Sequence, residues 1–501
     1  MRIAVIGGGP AAVALLDGLL LRADRFRSNP EIHIYEPSGP AYGQAFRPDL
    51  DSALINLPNG RMSIRAHEPA HFLNWLESSA GTDPALAERH APRSRFGAYL
   101  TAQLDRGRAV ARELGWHVEV VPETVLAVAG TADRALLVRT AAGARTHSHV
   151  VLGIGSGSNA DPYRLARTPN FVADPYPLAA TLPGVAPDAH VLIVGTGLTA
   201  VDAALGLLHL GHRGRITMAS RTGILPRVRR PVVDWEPRHL TVERVAALGR
   251  RAGGLRLPDV WDLLRRELTA AGFDAEAETA RFRPVRSHAD DLREQLAERV
   301  ASPVHSIYAA LLPTPLPPLI RATLPPEDMR QVAYRFKHQL KSVQCPMPPE
   351  TGRTLLAAMD RGQLTVLGGL TYVGVRGRRF AATAELATVP DADVVVDATR
   401  LSPARTTGRA RHLVRSLTGH VRWDPFHALR VDPATCRVLP GPGQPHRMLY
   451  AIGEITIGDL YHASSLPAVS RGAALVAEDL ARQADRPHHL APSTSGPGRQ
   501  R

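Results

Sequence analysis

The chain is poor in cysteine. Only two cysteines, Cys345 and Cys436, occur among 501 residues, and they lie far apart in sequence. This count excludes a disulfide framework and the C-x-x-C pair of disulfide reductases, and the spacing offers no metal-ligand pair. We therefore interpret both cysteines as small buried apolar residues.

Long hydrophobic runs are also absent. No uninterrupted apolar segment approaches the length that spans a membrane. The amino terminus has the charge and apolar stretch of a signal peptide, but Asp17 interrupts that stretch and no small-residue cleavage site follows. We expect a soluble, cytoplasmic protein without a membrane partner.

Acidic residues are outnumbered by basic ones, 47 against 60, for a formal net charge of +13. The arginines are scattered, and aromatic residues, at 5%, form no ladder between them. This distribution favours a solvated surface and phosphate-bearing cofactors over nucleic-acid binding. The length predicts two or three domains, and 44% hydrophobic residues suffice for a large core.

The amino terminus has the pattern of a dinucleotide-binding turn. An apolar strand at 2–6 is followed by Gly7, Gly9 and Ala12 at G-x-G-x-x-A spacing, then by an apolar-periodic helix. Glu36 ends the next strand, 24 residues after Ala12, where an acid can bind a ribose hydroxyl. The alternative is a glycine-rich turn of an unrelated α/β protein. The predicted cofactor-binding residues of this segment are Gly7, Gly9, Pro10, Ala11, Ala12 and Glu36.

Two loops rich in glycine and proline follow, at 37–46 and 55–64. They lie near the carboxyl end of the first strand, where ligands bind in doubly wound folds. A later strand at 148–154 ends in glycine at the same edge. Ordinary turn chemistry is the alternative for each candidate. The candidate cofactor contacts are Gly39, Tyr42, Gly43, Asn56, Met62, Ser63 and Gly155.

The strand–glycine–helix pattern recurs at 190–211, with Gly195, Gly197 and Thr199 in the turn. A repeat predicts a second nucleotide site. The next strand ends in Ser220 and Arg221 rather than in an acid, and these residues suit a 2′-phosphate. We therefore favour NADPH over NADH, with a solvent-facing Arg221 as the alternative.

Residues 227–347 are charged and helical in pattern, which predicts a helical insert and the main source of substrate specificity. A basic helix near its end carries Arg335, His338, Lys341 and Gln344. These side chains could receive an acidic substrate or the nicotinamide phosphates, although a solvated helix face is the simpler interpretation.

The carboxyl-terminal segment returns to the first domain as a strand, a turn with Gly453 and Glu454, and a long helix starting near Pro467. The helix amino terminus would face the flavin where negative charge develops. His462, in the preceding loop, is the candidate proton donor or substrate contact, with a structural histidine as the alternative. The tail at 487–501 is predicted to be disordered.

These segments resemble the bacterial two-dinucleotide FAD/NAD(P)-binding flavoproteins, which include urate hydroxylase-like enzymes and are related to flavin-dependent N-hydroxylating monooxygenases. The resemblance rests on the first glycine turn with Glu36 and on GPAYG, INLPNGRMSI, RSRFGAYL, GTGLTAVD…GHRGRITMASRTGILP and LYAIGE, at 39–43, 55–64, 93–100, 195–226 and 449–454. It implies FAD at the first turn and NAD(P)H at the second. Glu454 stands where such folds commonly have aspartate. A motif of Baeyer–Villiger-type enzymes is missing at 171–177, which disfavours that class.

The resemblance implies an α/β fold of glutathione-reductase type, with two Rossmann-like domains and a discontinuous FAD domain. We expect the FAD domain at 1–175 and 389–486, and the NAD(P)H domain with its insert at 188–388. The favoured function is an FAD-dependent, NADPH-using monooxygenase that hydroxylates a small metabolite with dioxygen through a flavin hydroperoxide. The alternatives are a reductase or dehydrogenase without oxygen insertion, and a non-catalytic redox-sensing flavoprotein. No metal is predicted, and the oligomeric state stays open.

Overall fold

A computed structural model describes residues 1–132, 135–155, 161–280, 285, 287–298, 300–312, 314–385, 387–399, 408, 410–424, 427–457 and 463–485. The tail at 487–501 and His462 lie outside these described residues. Within them, no helix combines the length and apolar character needed to cross a membrane.

Strands and helices alternate along much of the chain. The strands are β1 (Arg2–Ile6), β2 (Glu31–Tyr35), β3 (His117–Val121), β4 (Ala127–Gly130), β5 (Leu136–Arg139), β6 (Ala144–His147), β7 (His149–Leu152), β8 (Phe171–Val172), β9 (Val191–Val194), β10 (Ile216–Ala219), β11 (Leu364–Leu367), β12 (Leu370–Arg376), β13 (Arg379–Ala384), β14 (Val394–Asp397) and β15 (Leu449–Ala451).

The helices divide into those that flank the sheets and those of the insert. They are α1 (Pro10–Leu20), α2 (His71–Ala80), α3 (Arg93–Glu113), α4 (Leu178–Thr181), α5 (Leu198–His209), α6 (Val242–Arg250), α7 (Leu257–Ala270), α8 (Ala275–Ala280), α9 (His288–Ala297), α10 (Pro303–Leu311), α11 (Leu316–Thr323), α12 (Pro326–Arg330), α13 (Lys337–Gln344), α14 (Pro349–Asp360), α15 (Arg411–Leu417) and α16 (Leu466–Ala484).

The first sheet is parallel, with strand order β15-β7-β1-β2-β3. Along β1, Ile3 and Val5 join a core with α1, α3 and α16, whereas Ala4 and Ile6 join a core with the antiparallel β4-β5-β6 sheet. Because successive side chains point to opposite faces, a continuous apolar run is needed to bury both. The carboxyl-terminal strand β15 completes this sheet, which confirms the predicted return of the chain.

The second parallel sheet has the order β11-β10-β9-β14-β8. Its composition corrects two predicted domain boundaries. Strand β14 pairs with β9, so the segment from 389 onward enters the second sheet before the chain returns to the first. Strand β8 pairs with β14, so the first part of the first domain ends before Phe171 rather than at 175. The α/β class with two Rossmann-like sheets is confirmed.

The insert is helical and has a core of its own, formed by side chains such as Val245, Leu268 and Ile307. The buried carboxylate of Glu267 holds the segment that precedes α6 by hydrogen bonds. Glu267, 2% exposed, accepts hydrogen bonds from Trp235 Nε1 at 2.9 Å and from the backbone N–H groups of three consecutive residues, Arg238, His239 and Leu240. Burial opposes the charge, but these donors lower the pKa of Glu267.

We expect Glu267→Ala to destabilise the insert by about 3 kcal/mol, because it leaves several buried donors without an acceptor. Thermal unfolding and limited proteolysis of the insert would measure this effect. Glu243→Ala, at an exposed position on α6, is the matched control and should leave both unchanged. Equal behaviour of the two variants would contradict the role assigned to Glu267.

Candidate functional site

The first glycine turn brings two backbone segments into direct contact. Gly7 has φ +102°, and a Cβ there would lie 2.3 Å from the Gly153 carbonyl oxygen. A side chain at Gly7 is therefore excluded both by conformation and by space. The carboxyl ends of β1 and β7 meet at this point, which forms the edge where doubly wound folds bind ligands.

Helix α1 begins directly after the turn and has no side-chain cap. Gly9 is its N-cap residue, and Pro10 follows in the first turn, where a missing N–H costs nothing. Ala12 is buried, and Ala11 leaves little room at Gly153, since a Cβ there would lie 3.3 Å from the Ala11 Cβ. The arrangement presents backbone N–H groups and a positive dipole end to an anionic ligand.

Glu36 stands at the end of β2, beside the same turn. Its carboxylate accepts hydrogen bonds from the backbone N–H of Gly8 at 3.1 Å and of Ser38 at 2.9 Å. A Cβ on Gly8 would lie only 2.6 Å from the Glu36 Cβ. The acid is therefore held against the glycine turn, as its sequence position predicts, but its assignment to a ribose hydroxyl stays a prediction.

The candidates in the two following loops differ in their surroundings. Gly43 lies against Gly9, where a Cβ would be 3.2 Å from the Gly43 Cα, and Tyr42 lies beside Gly97 of α3. By contrast, Met62 is 3% exposed within the first core. The Ser63 hydroxyl bonds to the backbone of Arg65. Packing and turn formation thus account for the side chains of Met62 and Ser63.

Two further loop candidates also have defined positions. The backbone carbonyl oxygen of Asn56 accepts a hydrogen bond of 2.7 Å from Arg229 Nε, which ties this loop to the first residues of the insert. Gly39 has φ +91° with open space at its Cβ position, and Gly155, with φ +70°, likewise has open space there. These positive φ angles explain glycine at both sites without a ligand contact.

The second glycine turn repeats the geometry of the first. Gly195 has φ +126°, and a Cβ there would lie 3.2 Å from the Ala398 carbonyl oxygen. Gly197 is the N-cap of α5, without a side-chain cap and with open space around its Cβ position, and Thr199 lies in the first turn of that helix. This helix end can therefore also receive a phosphate.

Ser220 and Arg221 follow β10 beside this turn but have different environments. The Ser220 hydroxyl bonds to Thr196 Oγ1 at 2.9 Å and accepts a bond from Gly223 N at 2.9 Å, so it holds the turn together. Arg221 is exposed. It is the side chain of this pair that is available to a soluble anion.

The basic helix α13 lies near Arg221. Both lysines of the chain, Lys337 and Lys341, belong to this helix. Burial, together with the charges of Arg221, Lys337 and Lys341, lowers the pKa of His338 to about 4. Burial and Lys341 lower the pKa of Lys337, while the Glu454 carboxylate raises it. The insert, the second turn and the closing segment are thus close enough to act on one another electrostatically, and the substrate- or phosphate-binding role of α13 stays a prediction.

The closing segment contributes a turn and a helix amino terminus. Gly453 has φ +90° and begins a turn that contains Glu454. Ser465 caps α16 by accepting from Ala468 N at 3.4 Å, and Pro467 lies in the first helical turn. The flavin-facing role of this helix end stays a prediction.

A buried ion pair joins the two dinucleotide-binding halves. Arg93, at the start of α3, lies 2.7 Å from the Asp202 carboxylate of α5 through Nη2. Its Nη1 donates to the Tyr176 hydroxyl at 3.0 Å, and Nε donates to the Leu54 carbonyl at 3.1 Å. Tyr176 also bonds to Asp202. Burial alone would lower the pKa of Arg93, but Asp202 and Tyr176 raise it above its ordinary value.

Sequence reasoning did not single out Arg93 or Asp202 as functional, although both belong to motifs on which the resemblance rests. The feature of the sequence that could have identified them is a charged residue on the otherwise apolar, inward-facing side of a helix. Such a position requires a partner, because an unpaired buried charge is strongly unfavourable.

Comparison with known proteins agrees with this geometry. Residues 4–157 match the FAD-NAD(P)-binding family. That segment contains the first glycine turn, Glu36 and strand β7. No curated protein sequence matches the chain.

Three solved structures illustrate the similarity in fold. The ornithine N-hydroxylase of Kutzneria sp. 744 is 13% identical, with a TM-score of 0.52 over 96% of this chain and 99% of that one. The L-lysine 6-monooxygenase of Pseudomonas syringae is 15% identical, with a TM-score of 0.54 over 97% and 99%. The cadaverine monooxygenase of Erwinia amylovora is 13% identical, with a TM-score of 0.52 over 100% and 99%. The similarity in fold therefore spans 96–100% of this chain.

We expect Arg93→Met to lower the free energy of unfolding by about 3–5 kcal/mol, because it leaves the Asp202 carboxylate buried without its cation. The double variant Arg93→Met/Asp202→Leu should recover much of this loss. Urea unfolding of the purified variants would measure both effects. Arg213→Met removes an exposed arginine–aspartate pair of 2.8 Å and is the control, with an expected cost far smaller than that of Arg93→Met. Similar losses in both single variants would contradict the assigned role.

Proposed function

We propose that the protein is an FAD-dependent, NADPH-using monooxygenase that hydroxylates a small metabolite. The observation that carries the proposal is the pair of uncapped helix amino termini, α1 and α5, each after a glycine turn at the carboxyl edge of its own parallel sheet. Two such edges in one chain suit two dinucleotides. The similarity in fold to N-hydroxylating monooxygenases over nearly the full length supports the choice of reaction.

The first turn suits FAD. Gly7 and Gly9 let the backbone of Gly153 and Gly43 pack closely against the turn, and the uncapped end of α1 offers donors and a positive dipole to a pyrophosphate. Glu36 is held beside the turn, where its carboxylate can exchange a backbone partner for a ribose hydroxyl. When bound, FAD supplies hydride acceptance and oxygen activation, and the protein supplies position, electrostatics and exclusion of water.

The second turn suits NADPH. Gly197 leaves the helix end of α5 open to the pyrophosphate. Arg221, exposed just after β10, can pair with a 2′-phosphate, and Thr199 adds a hydroxyl in the first helical turn. The Kutzneria relative was determined with reduced FAD, NADP+ and L-ornithine, which agrees with this pairing of cofactors.

The charges of the insert bear on the substrate. The positive groups of α13, Lys337 and Lys341, act on the same region as Arg221, and Glu454 adds one negative charge. Such an environment favours a metabolite with a carboxylate over a simple diamine. Among the substrates named for the relatives, ornithine and lysine fit this description better than cadaverine. The free thiols of Cys345 and Cys436 suit a reducing, cytoplasmic location.

Cofactor binding and oxygen uptake test the proposal together. The purified chain should be yellow and should consume oxygen at the expense of NADPH when ornithine, lysine or a related amino acid is present. NADPH oxidation with an artificial acceptor but without oxygen uptake would favour the reductase alternative instead. A colourless protein that does not take up added FAD would contradict both the monooxygenase and the reductase hypotheses.

Gly7→Ala supplies the matched variant for this test. The added Cβ would clash with Gly153, so FAD binding and activity should both be lost. Gly184→Ala is the control, because open space surrounds its Cβ position and its φ is not positive. It should keep the flavin spectrum and the activity of the parent protein.

The cofactor preference depends on Arg221. We expect Arg221→Ala to raise the KM for NADPH by about 10- to 100-fold, as expected for the loss of a charge-assisted hydrogen bond, and to change the KM for NADH little. Steady-state kinetics with both cofactors would measure this. Arg250→Ala, at an exposed position on α6, is the control. Equal effects of Arg221→Ala on both cofactors would contradict the assignment of the 2′-phosphate contact.

A further inference from the structure

A cluster of histidine and glutamate side chains lies on the first sheet, away from the glycine turns. In the parallel pairing of β2 with β3, Glu31 is opposite His117 and His33 is opposite Glu119. Residues two apart share a face of a sheet, so all four side chains lie on one face. They occupy the beginning of both strands, whereas Glu36 follows the end of β2 at the dinucleotide edge. The cluster is therefore separate from the proposed cofactor site.

Hydrogen bonds determine which nitrogen of His33 carries a proton. His147 Nδ1 lies 3.2 Å from the Arg145 carbonyl oxygen, which can only accept, so His147 must donate from Nδ1. A neutral His147 then has a bare Nε2. His33 Nδ1 lies 3.0 Å from that nitrogen and must donate to it. In its neutral form, His33 consequently has a lone pair at Nε2.

This lone pair faces negative charge. His33 Nε2 lies 3.1 Å from Glu31 Oε1 and 3.2 Å from Glu119 Oε2. Three acceptors at these distances repel one another unless a cation or a proton lies between them. Arg2 and Arg145 do not fill this position: Arg2 Nε bonds to Glu31 Oε2 at 2.9 Å, and Arg145 Nη1 bonds to Glu119 Oε2 at 2.7 Å.

We propose that His33, His117 and Glu119 bind a zinc ion. One ligand atom from each of the three lies within 4.8 Å of the other two. The 3.2 Å between His33 Nε2 and Glu119 Oε2 matches the edge of about 3.3 Å that tetrahedral zinc with ligands near 2.0 Å requires. Two imidazoles and one carboxylate suit zinc, with water at the open position.

Access and orientation agree with the assignment. His33 is 2% exposed, Glu119 is half-buried and His117 is exposed, so the ion would enter from the solvent beside His117. His147 is a positioning residue that holds the His33 ring, in the manner of the outer-shell acceptors that orient histidine ligands.

Zinc binding by the full chain, freed of any affinity tag and of metal, tests the proposal. Isothermal titration with zinc chloride should show one site per chain, and zinc should raise the melting temperature. His117→Ala and Glu119→Gln should each weaken binding by at least about tenfold and reduce the thermal shift. His446→Ala, an exposed histidine outside the cluster, is the matched control and should bind like the parent chain.

The flavin content keeps this test distinct from the proposed function. Because the cluster lies away from the glycine turns, FAD binding should be the same in His117→Ala as in the parent chain, and a normal flavin spectrum would also report a folded protein. A parent chain that binds no zinc would overturn the proposal. So would variants at His117 and Glu119 that both bind zinc as tightly as the parent chain does.

Discussion

The close backbone contact between Gly7 and Gly153 is the constraint on which the first half of the molecule depends. It lets the carboxyl ends of β1 and β7 meet at the start of α1, where a Cβ at Gly7 would lie 2.3 Å from a carbonyl oxygen. Every other element of the cofactor edge is arranged around this contact. Glu36 is held against the turn by backbone N–H groups, and the helix begins without a side-chain cap. The same solution recurs at Gly195, beside Ala398.

The two cofactor edges can act together only if their positions relative to each other are defined. The buried pair of Arg93 with Asp202, together with Tyr176, joins helices that flank different sheets. A buried charge pair adds little net stability, but removing one partner is costly, so it favours one arrangement over its alternatives. The insert adds a third contribution, since its basic helix acts electrostatically on the second turn and on Glu454. The glycine turns, the buried Arg93–Asp202 pair and the basic helix α13 thus supply the position and the charge of the cofactor edges from three separate parts of the chain.

Much of the fold could be predicted from local patterns, and the exceptions have physical reasons. The glycine turns were predicted correctly because a positive φ and a close approach restrict the residue type at single positions. The assignment of β14 to the first sheet was wrong because an apolar run of β-branched residues is equally suited to either parallel sheet, and its partner is chosen by long-range pairing. Met62 and Ser63 were predicted as cofactor contacts from loop composition, and that assignment stays a prediction, because core packing and a backbone hydrogen bond are also sufficient to position their side chains.

The sequence by itself determined that two strand–glycine–helix units exist, that an acid follows the first and an arginine the second, and that the chain has no C-x-x-C pair. Only the tertiary structure decided that Arg93 meets Asp202, that Arg221 shares its surroundings with α13, and that His33 faces Glu31 and Glu119. The reason is that a glycine turn is specified by neighbours a few residues away. An ion pair or a ligand cluster, by contrast, depends on strands and helices brought together from distant parts of the chain.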